Sequence, residues 1–75
     1  ARIKEFVKAE RERYSVHDGI AAQYYVFERD GRHFFQLDTH GRSARKIPGK
    51  TSQSIQLDES SAKQLVDILK KAFKL

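Results

Sequence analysis

One dipeptide restricts this chain more than any other: Asp30-Gly31, set between two aromatic, alternating runs. Gln23-Tyr24-Tyr25-Val26-Phe27-Glu28-Arg29 precedes it, and Arg32-His33-Phe34-Phe35-Gln36-Leu37-Asp38 follows. A two-residue type I′ turn needs positive φ at both central positions, and an Asp-Gly pair is among those that supply it. With Asp30-Gly31 as that turn, the register follows. Arg29 opposes Arg32, Glu28 opposes His33 and Phe27 opposes Phe34. Val26 then opposes Phe35, Tyr25 opposes Gln36 and Tyr24 opposes Leu37. Side chains alternate across a strand. One face therefore holds Tyr24, Val26, Phe35 and Leu37, an ordinary core. The other holds Tyr25, Phe27, Phe34 and Gln36, with Arg29 and Arg32 near its tip.

The rest of the chain is read outward from this hairpin. In Arg2–Arg13 the apolar positions Ile3, Phe6 and Val7 are spaced three and four apart, which predicts an N-terminal helix, uncapped at its start. Tyr14–Gly19 reads as a turn or a short irregular strand. Ser52–Leu57 alternates cleanly and predicts a further strand, with Ile55 and Leu57 toward the core. If it joins the same sheet, Ser54 and Gln56 share the face of Tyr25, Phe27, Phe34 and Gln36. Asp58 is the expected N-cap of a C-terminal helix, with Glu59 in its first turn. Ala62, Leu65, Val66, Leu69, Ala72 and Phe73 form that helix's apolar stripe. The expectation is an α+β fold: a three- or four-stranded antiparallel sheet, a C-terminal helix packed on one face, and an N-terminal helix, giving the order α–β–β–β–α, or β–β–β–β–α if the start is a strand.

Size and charge narrow the role. A chain of 75 residues is one small domain, residues 1–75, able to bury about 60% of its unfolded surface. A homodimer, or attachment to a larger protein, would offset so small a core. The sequence opens on Ala1 rather than Met, which reads as an excised or processed piece. Without Cys, neither disulfides nor thiolate zinc sites are available. No apolar run is long enough for a membrane span and no signal-peptide pattern is present, so a soluble, intracellular protein (cytoplasm, nucleoid or nucleus) is expected. The net charge is +5, and its position matters more than its size. Residues 40–54 carry Arg42, Arg45, Lys46 and Lys50 with no acid, so nearly the whole excess lies there. Gly41 and Pro48-Gly49 punctuate the stretch as a loop. Concentrated cations are the electrostatic footprint of phosphate binding, although a merely solvated loop has the same composition.

Catalysis finds little support. His33 and Asp38 alternate onto opposite faces of one strand, which works against a metal site with His40. Glu28 and His33 read as a cross-strand pair rather than an acid–base dyad. No phosphate-cradling glycine loop or nucleophile elbow is present. The expectation is therefore a non-enzyme with no metal and no cofactor. The aromatic face is more telling. Tyr25, Phe27 and Phe34 offer stacking surfaces, Gln36 offers hydrogen bonds, and Arg29 and Arg32 offer phosphate contacts. Unpaired bases stack on such rings, and duplex bases do not need to, so single strands are favoured. The competing reading makes these rings a second core, covered by the N-terminal helix or by a dimer partner.

Lys46-Ile47-Pro48-Gly49-Lys50, then Ser54-Ile55-Gln56-Leu57-Asp58 and an amphipathic helix, resembles the positive-cofactor-4 family of transcriptional coactivators. Arg29-Asp30-Gly31 is similar to a strand–strand turn of that family, and the Pur-alpha repeats are similar in layout. The resemblance covers roughly residues 24–73. It implies a curved antiparallel sheet, helix-mediated dimerisation and single-stranded DNA binding through Lys46, Lys50, Arg29 and Arg32. Ile47 splits the family's Lys-Pro-Gly, and Ile3, Phe6 and Val7 are spaced as a helix where the family has a strand. The element order also resembles double-stranded-RNA-binding domains, but Asp58-Glu59-Ser60-Ser61 stands where those carry lysines.

The sequence thus predicts a nucleic-acid-binding module with a single-stranded DNA partner, DNA ahead of RNA. Its expected contacts are Arg29, Arg32, Arg42, Arg45, Lys46 and Lys50 to phosphates, with Tyr25, Phe27, Phe34 and Gln36 to bases. The alternatives are a protein-interaction or dimerisation domain of a larger enzyme, and a duplex DNA-binding sheet in which Arg29, Arg32 and Gln36 contact base edges.

Overall fold

The computed structural model describes residues 1–40 and 51–75. Among the described residues four strands and one helix follow in order: β1 (Arg2–Ile3), β2 (Ala22–Arg29), β3 (Arg32–Thr39), β4 (Gln53–Asp58) and α1 (Glu59–Phe73). The sheet order is β1-β4-β3-β2. Its centre is the hairpin, in the register the turn dictates: Arg29 opposes Arg32, Phe27 opposes Phe34, Tyr25 opposes Gln36 and Tyr24 opposes Leu37. Asp30 and Gly31 both have positive φ, 53° and 74°, as a type I′ turn requires.

Strand β4 pairs antiparallel with β3, Gln36 opposite Gln56 and Leu37 opposite Ile55. It runs directly into α1. Asp58 accepts a 3.0 Å bond from the Ser61 N–H, and its own N–H donates to the Ser61 hydroxyl at 3.1 Å. This reciprocal capping box satisfies two otherwise orphaned donors. Lys70 and Lys71 lie in the last turn, where cations complement the helix dipole. Helix α1 packs on β3 and β4. Its half-buried Ala62 and Leu65 match the apolar side of the sheet, where Leu57 is only 6% exposed. Farther along the stripe Val66, Leu69 and Phe73 are exposed.

The N-terminus departs from expectation twice. No helix forms over Arg2–Arg13; Arg2 and Ile3 pair parallel with Gln56 and Leu57 instead. The sheet is therefore mixed rather than wholly antiparallel. Three apolar residues over about three turns, without a cap, are too little to hold a short helix in water. The open edge of β4 offers the same backbone better partners: the Gln56 N–H donates to the Ala1 carbonyl at 2.8 Å, and the Ala1 amine donates to the Ser54 carbonyl at 2.9 Å. Phe6 is then clamped by one helix side chain. Its N–H donates to Gln64 Oε1 at 2.8 Å, and its carbonyl accepts from Gln64 Nε2 at 2.7 Å. The expected stripe is split, with Ile3 and Phe6 half-buried and Val7 exposed. Tyr14–Gly19 forms no strand, and Val16 is fully exposed. Among the described residues no helix is long and apolar enough to cross a membrane.

Candidate nucleic-acid interface

Register alone gathers the candidate residues. Tyr25, Phe27 and Arg29 on β2 lie opposite Gln36, Phe34 and Arg32 on β3, so all six share one face. Gln56 and Ser54 on β4 extend it beside Gln36 and Asp38. Phe27 and Phe34 stack with ring centroids 5.4 Å apart and planes within 23°. The Arg32 guanidinium lies 5.0 Å from the Phe34 ring centre, a cation–π arrangement that holds a positive charge against the aromatic surface. Tyr25 is 45% exposed and donates its hydroxyl to Gln23 Oε1 at 3.2 Å. Phe27, Phe34 and Gln36 are half-buried. The N-terminal helix that could have roofed these rings does not form.

A polar row runs beside the rings. The Gln56 amide donates to Gln36 Oε1 at 2.9 Å, and the Gln36 amide donates to Asp38 Oδ1 at 3.0 Å. The Ser54 hydroxyl donates to the same Asp38 oxygen at 2.7 Å. His40 Nε2 lies 3.1 Å from Gln23 Oε1. Asp38 is 8% exposed. The bond from Ser54, then that from Gln36, hold its carboxyl below the usual carboxylate value despite desolvation, and nearby His40 adds a smaller pull. The buried carboxylate is thus kept ionised by side-chain donors on its own sheet face, as a buried charge requires.

The hairpin end is electrostatically mixed. Arg2 donates to Asp58 Oδ2 at 2.6 Å, and Arg32 lies 4.0 Å from the same oxygen. The Ser61 backbone N–H, ahead of the Ser61 hydroxyl and Arg2, lowers the Asp58 carboxyl despite desolvation. Arg32 is therefore partly engaged, and Arg29 is the cation at this end with no acid beside it in the pairing register. His33 and Glu28, 3.7 Å apart, form the expected cross-strand pair on the opposite face.

Six of the ten expected site residues are thus brought onto one face. The other four, Arg42, Arg45, Lys46 and Lys50, lie outside the described residues. The chain leaves the sheet after Thr39 and rejoins it where the Ser52 N–H bonds the Thr39 carbonyl at 2.8 Å, at the end remote from the hairpin tip. Sequence reasoning missed four members of the face: Arg2, Gln23, Asp38 and Asp58. Strand alternation from Tyr25 would have added Gln23, and Gln36 would have added Asp38. Asp58 was read only as a cap, and Arg2 only as part of a helix. Among the described residues no group of three metal-ligating side chains is close enough to hold an ion.

No protein-family model, no curated protein and no solved structure matches this chain significantly. The resemblance to positive-cofactor-4 and Pur-alpha modules therefore stands on the quoted motifs alone.

Proposed function

We propose that this chain is a single-stranded nucleic-acid-binding module, without catalytic activity, whose bases lie on the Tyr25/Phe27/Phe34 face. The observation that carries the reading is the stacked Phe27–Phe34 pair beneath a guanidinium, on a sheet face that no described helix roofs. A base stacking there gains roughly 1–3 kcal/mol with little dependence on sequence. Gln36 and Gln56 supply donors and acceptors for base edges. Arg29 meets phosphate at the hairpin end, and Arg42, Arg45, Lys46 and Lys50 supply most of the attraction. Asp38 and Asp58, opposite Ser54 and Phe34 toward the two ends of the face, repel phosphate locally, so the backbone is held where the neighbouring cations outweigh them. DNA ahead of RNA follows from the resemblance to the positive-cofactor-4 and Pur-alpha modules.

Fluorescence anisotropy with labelled single- and double-stranded oligonucleotides across a salt series tests this. Tighter binding to single strands is expected. Four phosphate contacts give a log–log salt slope near −3, from about −0.7 each. Absence of binding at low salt would overturn the proposal, and a preference for duplex would replace it with a groove-reading sheet.

A further inference from the structure

The two edges of the sheet are treated differently. The β4 edge is closed by residues 1–3, while among the described residues nothing pairs with the outer edge of β2. In a two-residue hairpin the closing pair Arg29–Arg32 exchanges its hydrogen bonds across the strands, and bonded pairs recur at every second residue. Arg29, Phe27, Tyr25 and Gln23 therefore spend their backbone groups on β3. The N–H and C=O of Tyr24, Val26 and Glu28 point outward. Natural edges are usually blunted by proline, charged side chains (lysine above all), a bulge or shortness. Strand β2 is eight residues long, pairs with β3 without a bulge, contains neither Pro nor Lys, and carries its charges, Glu28 and Arg29, only at the hairpin end.

We infer that β2 is the seam of a homodimer, in which it pairs antiparallel with β2 of a second copy about a twofold axis through Val26. The strand suits its own copy. Tyr25 comes opposite Phe27 of the second copy, an aromatic cross-strand pair of the kind that stabilises sheets. Tyr24 comes opposite Glu28, and Gln23 opposite Arg29, so no like charges oppose each other. Tyr24 and Val26, 69% and 70% exposed, gain neighbours on the apolar side. The axis is perpendicular to the sheet, so both aromatic faces look the same way and merge into one eight-stranded surface. The inference does not depend on what that surface binds.

Sedimentation equilibrium across the micromolar to submillimolar range, with amide exchange by NMR, tests it. Wild type is expected at twice the chain mass, with the Tyr24, Val26 and Glu28 amides protected. Val26→Lys sets two ammonium groups across the axis and should give a monomer with unchanged circular dichroism and fast exchange at Tyr24 and Glu28. Val26→Pro removes only an outward N–H, which an edge strand tolerates, and should also be monomeric. A wild-type monomer throughout would overturn the inference. So would a dimer that survives both substitutions, or one whose Tyr24, Val26 and Glu28 amides exchange freely.

Discussion

The two faces of the sheet solve opposite problems. On the polar-aromatic face most side chains find partners within the face: Phe27 on Phe34, Arg32 over Phe34, and Gln56 to Gln36 to Asp38. The apolar face has one such pair of its own, Tyr24 stacked on Phe35 at 5.9 Å, and otherwise depends on cover from elsewhere. Helix α1 protects Leu57, while Tyr24 and Val26 on the outermost strand stay open. A face ordered by its own contacts can remain uncovered and still present fixed rings and donors. A face ordered by burial is stable only where something lies on it. Preorganised groups bind with less ordering cost, and this is why recognition is assigned to the first face and association to the second face's open margin.

Substitutions should separate the two. The largest effect is expected at Leu57, the buried apolar side chain under α1. Leu57→Ala should cost about 2–5 kcal/mol, read by urea denaturation, and a loss below about 1 kcal/mol would mean that the apolar face is not the core. Next comes Tyr25 on the other face. Tyr25→Ala should weaken single-strand binding by about 1–3 kcal/mol while the urea midpoint barely moves. Equal loss of stability and binding would erase the contrast. Gln64→Ala should cost about 1 kcal/mol by releasing the Phe6 backbone, and the Phe6 amide should exchange faster while the hairpin amides do not. The smallest effect is expected on acidification. Asp38 and Asp58 are both lowered in the folded state, so their contribution is whole above about pH 4 and fades as pH falls through their folded values. Melting temperature should drop in that acid range, less steeply for Asp58→Asn, and a flat profile would contradict the assignment.

Much of this was legible where local chemistry and register coincide. Asp30-Gly31 fixed the turn, the turn fixed every β2–β3 pair, and Asp58 announced the helix. The N-terminus was misread because Ile3, Phe6 and Val7 carry helical spacing, whereas the competing partners, the β4 edge and Gln64, are remote in sequence. Periodicity cannot see a contact between Phe6 and Gln64. The same limit hid Arg2 and Asp58 from the candidate site, since a parallel strand pairing joins them. The extent of helix cover was also beyond the pattern. An apolar stripe in α1 says that a face wants burial, and it does not say which strand is left bare.

The most direct test is a chemical-shift titration of the ¹⁵N- and aromatic-¹³C-labelled chain with a short single-stranded DNA. Perturbations should concentrate on the rings of Tyr25, Phe27 and Phe34 and the side-chain amides of Gln36 and Gln56, leaving Tyr24, Val26 and Val66 unmoved. Shifts confined to Tyr24, Val26 and the α1 stripe, or none at saturating oligonucleotide, would contradict the assignment of recognition to the polar-aromatic face.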